Sequence, residues 1–166
     1  MGETDNTLVI YIVGDNGASP EGGLIGVVNE MNFFNGIPET LDEQLKYRDR
    51  LGGPDTYAHY AAGWAIAGNT PFQYGKQVAS TPGGNQNPLV IRWPKRIRDR
   101  GAVRSQFQYV TDIAPTVLEA AGLPEPTMVN GIRQRPMEGA SLVHTFDEPG
   151  APTRHNVPSR FSSAVR

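Results

Sequence analysis

The chain has no cysteine. That absence removes disulfides, thiolate metal ligands and cysteine nucleophiles together, and leaves the redox compartment open. Long apolar runs are lacking too, none approaching the ~20 residues of a membrane-spanning helix. The opening "MGETDN" has neither the basic segment nor the apolar stretch of a secretory leader, so a cytoplasmic setting is the default expectation. Positive charge is sparse. The net charge is −2, and the one basic cluster, Lys95, Arg96, Arg98 and Arg100, reads as a solvated turn. A nucleic-acid partner calls for a basic face or stripe, which this chain does not offer, and nothing in it points to a protein partner.

What is present is an α/β pattern rich in loops. At 166 residues, 38% of them hydrophobic, the chain suits one modest domain. Its 19 glycines and 14 prolines are spread through turns rather than repeated in tracts. The run Thr7 to Val13, "TLVIYIV", is nearly all apolar or β-branched, which predicts a strand covered on both faces of a parallel sheet. Residues 40–51, "TLDEQLKYRDRL", predict a helix with Thr40 and Glu43 in capping-box spacing and Leu41, Leu45 and Leu51 as its buried stripe. The segment from Ala61 through "GNTPFQYGKQVASTPGGNQN" has no clean period and reads mostly as loop. "PLVIRWP" predicts a second strand, and Asp112 to Ala121 a helix stopped by Gly122 and Pro124.

Directly after the first strand come Asp15, Asn16 and Gly17. Ligands collect beyond the carboxyl ends of strands in open α/β sheets, and a carboxylate beside an amide oxygen suits a hard cation such as Ca²⁺ or Mg²⁺. Asp-Asn-Gly is equally a turn sequence, whose side chains bond their own backbone. From these residues alone the turn reading is the stronger.

Longer strings carry more. "NTLVIYIVGDNGAS", "LGGPDTYAHYAAGWAIAGNTPFQYGKQVAS", "PLVIRWP", "FQYVTDIAPTVLEAAGLPEP" and "NGIRQRPMEGASL", in that order, resemble the bacterial arylsulfatases of the alkaline-phosphatase-like superfamily. The resemblance implies a partial alkaline-phosphatase-like (sulfatase) α/β fold, with a mostly parallel sheet and long loops. It implies hydrolysis of small aryl sulfate esters, with Asp15 and Asn16 matching the acidic-amide pair that binds the active-site cation, calcium (magnesium being the alternative). It also implies that Lys76 is the lysine that contacts a sulfate oxygen and steadies the departing aryl oxygen. Without the resemblance, Lys76 would read as an ordinary exposed lysine.

The pattern also breaks. The family nucleophile is a formylglycine made from Cys or Ser in a Cys/Ser-x-Pro-x-Arg motif. Here "GAPTR" and "NVPSR", which match x-x-Pro-x-Arg, begin with Gly150 and Asn156, which cannot yield that aldehyde. Pro82, Gln86 and Tyr109 stand where the family usually has histidine, arginine and histidine. His59, His144 and His155 fall on no family catalytic position and read as structural or surface residues. The expected organisation is therefore the later part of a sulfatase catalytic domain over 1–155, followed by a Ser/Arg-rich tail, 156–166, read as disordered and as a shifted reading frame. Two other readings stay open: a non-catalytic sulfatase remnant, and a phosphate- or phosphonate-ester hydrolase of the same superfamily.

Overall fold

The structure, a computed structural model, describes residues 2–155; the expectation of a disordered tail lies outside these residues. Two compact units divide the described residues, one of residues 11–90 and one of residues 2–10 with 91–155. The elements are short. They comprise β1 (Val9–Ile12), α1 (Glu30–Phe34), α2 (Leu41–Leu45), α3 (Ala62–Asn69), α4 (Pro82–Asn85), β2 (Leu89–Arg92), α5 (Ile113–Ala121), β3 (Met128–Val129) and β4 (Ile132–Arg133).

β1 and β2 are neighbours in a two-stranded sheet, and β3 and β4 form a second one. The β3–β4 ladder is antiparallel, pairing Met128 with Arg133 and Val129 with Ile132. Val13 donates its N–H to Pro88 O at 3.1 Å and Lys95 to Asp5 O at 2.8 Å. The end of β1 thus lies beside the start of β2, which is the antiparallel arrangement. The expected mostly parallel sheet is corrected to short antiparallel pairs, and parallel pairing occurs at the isolated bridge between Asn29 and Tyr57.

The expected burial of the first strand is also overturned. Val9 is 44% exposed, Tyr11 62% and Val13 48%. An apolar run becomes a buried strand only where other layers cover both faces, and among the described residues the sheet has one further strand. The leucine stripe of residues 40–51 fails in the same way, since Leu41, Leu45 and Leu51 are all more than half exposed. The local signal there holds: Thr40 caps α2, accepting from Glu43 N, while the Glu43 carboxylate accepts from Thr40 N at 2.8 Å. A separate 3₁₀ turn at Arg48–Arg50 follows. Part of the stretch expected as loop is helical, as α3 and the single turn α4. In α3, good helix formers at Ala62, Ala65 and Ala67 outweigh the glycines at 63 and 68.

In the unit holding residues 91–155, α5 matches the sequence boundaries to within a residue and ends at Gly122, whose φ of +68° is the left-handed helix stop. Its first turn is anchored by fully buried Asp112 and Thr116. Thr116 Oγ1 donates to Asp112 O at 2.6 Å and accepts from Leu142 N at 2.8 Å. Leu142, Phe146 and Ala151 complete this small core. Of the basic cluster, Arg96 is not a free charge, being ion-paired with Asp147 at 3.0 Å. No helix among the described residues is long and apolar enough to cross a membrane.

Candidate functional site

Asp15, Asn16 and Lys76 lie in the unit 11–90, on two loops held together by backbone bonds. The first loop, after β1, carries Asp15, Asn16, Ser19 and Glu21. The second, between α3 and α4, carries Lys76 and Gln77. Gly17 N donates to Gly84 O and Lys76 N to Ala18 O, each at 3.0 Å. Asn69, the last residue of α3, braces both loops. Its Oδ1 accepts from Ala18 N at 3.1 Å, and its Nδ2 donates to Tyr74 O and Gly83 O. The approach is too close for side chains: a Cβ on Gly17 would sit 1.7 Å from Gly83 O, and one on Gly75 2.4 Å from Ala18 O. Tyr74 and Gln77 flank Lys76 at φ of +63° and +77°. Non-glycine residues hold that conformation only where surrounding structure enforces it, a pattern concentrated at functional segments.

Asp15 is exposed and Asn16 half-buried, with Asn16 Nδ2 donating to Asp15 Oδ1 at 2.9 Å. The pair offers one carboxylate and one amide oxygen. These donors fit an oxygen-seeking cation in type and would supply two of the roughly six to eight ligands that calcium takes.

Lys76 makes its direct contact elsewhere. Its Nζ donates to Glu21 Oε2 at 2.8 Å, a carboxylate that sequence reasoning did not select. Ser19 Oγ donates to the same oxygen at 2.6 Å, and Gln77 Nε2 donates to Oε1 at 2.8 Å. The Lys76 bond first, then that of Ser19, hold the Glu21 carboxyl at about 2 against an ordinary value of 4.5, although burial acts in the opposite direction. Reciprocally, the Glu21 bond raises the proton affinity of Lys76 against the effect of burial, and the charges of Glu21, Glu30 and Asp15 add to it. Asp15 therefore acts on Lys76 through its field, while Glu21 touches it.

His59 joins this group. Its Nε2 lies 3.1 Å from Ser19 Oγ, and one ligand atom each of Glu21, Glu30 and His59 lie within 4.8 Å of one another. The signal for Glu21 was present in "GASPEGG", an acidic residue in the same glycine-rich loop as Asp15. His144 and His155 lie in the other unit and serve structural ties: the His144 ring nitrogens face Ser141 O and Pro152 O, and His155 faces Asp112. Pro82 opens α4 and Gln86 caps it, so both shape the turn after Lys76. Tyr109 sits edge-on to the His155 ring.

Comparison with known proteins places the chain among sulfatases. The chain is 33% identical over 126 residues to an uncharacterized sulfatase of Schizosaccharomyces pombe, covering 76% of this chain and 21% of that protein. It is 28% identical over 141 residues to an arylsulfatase of Klebsiella aerogenes, covering 85% of this chain and 28% of that one. The chain thus spans between a fifth and three tenths of the length of these curated relatives. With the sulfatase family model matching residues 1–123, across the strand, both site loops and α5, the chain belongs to the sulfatase family, the hydrolases of sulfuric esters.

Proposed function

We propose that this chain is the later part of an arylsulfatase-type catalytic domain, contributing half of a cation site and one sulfate-binding lysine to the hydrolysis of small aryl sulfate esters. The observation that carries the reading is the bracing of the Lys76 loop onto the Asp15 loop through Ala18, Asn69 and Gly84. That bracing, which joins the loops of Lys76 and of Asp15 and Asn16 across some sixty residues of sequence, supports roles for all three in one site. Asp15 and Asn16 would hold Ca²⁺, with Mg²⁺ as the alternative, and the cation would supply charge to neutralise sulfate oxygens. Lys76, kept protonated by its carboxylate neighbours, would donate to a sulfate oxygen and steady charge on the departing phenolate.

The chain on its own is inactive in this reading. The family chemistry needs a formylglycine, and in a chain with no cysteine, where Arg92, Gly150 and Asn156 head the x-x-Pro-x-Arg strings, no residue at the motif's first position would yield one. Positioning and electrostatics do not substitute for a missing nucleophile. The same observation favours a second reading, a sulfatase remnant that binds without catalysis. The test is an assay of the purified chain with 4-nitrophenyl sulfate, 4-nitrophenyl phosphate and excess Ca²⁺. No release of nitrophenol above the protein-free control is expected. Sulfate-ester turnover lost in Lys76→Ala would overturn the inactivity, and turnover of the phosphate ester alone would favour a phosphoesterase.

A further inference from the structure

The three donors on Glu21 form an arrangement that would suit a different occupant. Lys76 Nζ, Ser19 Oγ and Gln77 Nε2 come from two loops and converge on one carboxylate at 2.8, 2.6 and 2.8 Å. The Glu21 side chain is 10% exposed, whereas that of Lys76 is 36% exposed, so the anion lies deeper than the ammonium that binds it. Lys76 and Gln77 are consecutive, yet both reach the same carboxylate, with Gln77 in the left-handed region at +77°. A cationic, a hydroxyl and an amide donor gathered on two oxygens is a donor set for an oxyanion, and here a side chain of the protein fills it.

We infer that Glu21 is an internal competitor for this oxyanion cradle, so that a sulfate group engages Lys76, Ser19 and Gln77 only by exchanging with the Glu21 carboxylate. The inference rests on the reading of Lys76 as a sulfate contact and adds the residue that decides when Lys76 is available. The sign follows from charge. Asp15, Glu21 and Glu30 all act on Lys76, three carboxylates against one ammonium, and an incoming anion, whether a sulfate ester or inorganic sulfate, that left Glu21 in place would meet like charge at contact distance. Exchange removes that repulsion and returns the same donors to the new anion. Glu21, at the margin of the Asp15 loop, then sets the threshold for anion binding, while Ser19, which also contacts His59 at 3.1 Å, and Gln77 become additional sulfate ligands.

The test is titration of inorganic sulfate into the full chain by calorimetry at fixed ionic strength, comparing wild type, Glu21→Gln, Lys76→Ala and the double variant, each checked for folding by circular dichroism. Glu21→Gln keeps side-chain length and one acceptor oxygen while removing the charge, and roughly tenfold tighter sulfate binding is expected after solvent screening is allowed for. Lys76→Ala should abolish that gain. In the wild-type chain, the Glu21 carboxyl carbon resonance should shift saturably as sulfate is added at neutral pH, which decides the matter even if Glu21→Gln does not fold. Lys76-dependent binding that is unchanged or weaker in Glu21→Gln, or a Glu21 resonance that stays fixed while the Lys76 signals respond, would overturn the role of Glu21 and leave the Lys76 reading standing. Sulfate binding in no protein, or binding indifferent to Lys76, would overturn both.

Discussion

Asp112 and His155, forty-three positions apart, are joined with His155 Nε2 at 2.8 Å from each carboxylate oxygen of Asp112. Asp112 is fully buried and also accepts from Tyr109 N and Ala140 N, both at 2.8 Å. The carboxylate therefore ties the turn before α5 to the segment entering the Leu142 turn and to the described end of the chain. Asp112→Ala strands two backbone donors, so a loss of about 3 kcal/mol is expected. His155→Ala removes one of its partners and should cost about 1 kcal/mol. Urea unfolding of the two variants checks the ranking, and equal losses would mean that the backbone donors contribute nothing.

The Glu21–Lys76 contact gives stability a pH dependence of known sign. With the folded-state carboxyl at about 2 and the ordinary value at 4.5, the contribution is fully present above about 4.5. It fades as pH falls through 4.5 toward 2, where the folded protein takes up its proton. Glu21→Gln should flatten the stability profile over that window and leave the slope above pH 5 as in wild type. Thermal melts across the acid range measure it.

Gly75→Ala probes the seam between the two site loops. The added Cβ would lie 2.4 Å from Ala18 O, with Asn69 Nδ2 at 3.7 Å, so the clash is with backbone rather than with a yielding side chain. A loss of roughly 2 kcal/mol is expected. Displacing Lys76 should also return the Glu21 carboxyl toward 4.5, which an NMR titration of the Glu21 carboxyl reads independently of stability.

Calcium binding by the chain should be weak, about millimolar or poorer, because Asp15 and Asn16 offer two of the roughly six to eight oxygens the ion takes. Asp15→Ala should weaken it further by removing the carboxylate, whereas Asp147→Ala, in the other unit, should leave it unchanged. Calorimetry with Ca²⁺ distinguishes the two, and equal affinity in wild type and Asp15→Ala would place the ion elsewhere.

The sequence by itself determined whatever is coded within a few residues. The Thr40–Glu43 capping box formed because both bonds span three positions, and α5 stopped at Gly122 because glycine tolerates the left-handed conformation. The order of its strings carried the sulfatase family. Tertiary structure decided the rest. Thr7 to Val13 had the composition of a buried strand, but burial depends on what packs against it, and β1 is exposed with a single neighbouring strand among the described residues. The partner of Lys76 was illegible for the same reason: Glu21 lies fifty-five positions away, and the bonds of Asn69, Ala18 and Gly84 that close that distance exist only once the backbone has folded. Hydrogen-bond codes of short range are written in adjacent letters, whereas the meeting of two loops depends on packing across the whole unit.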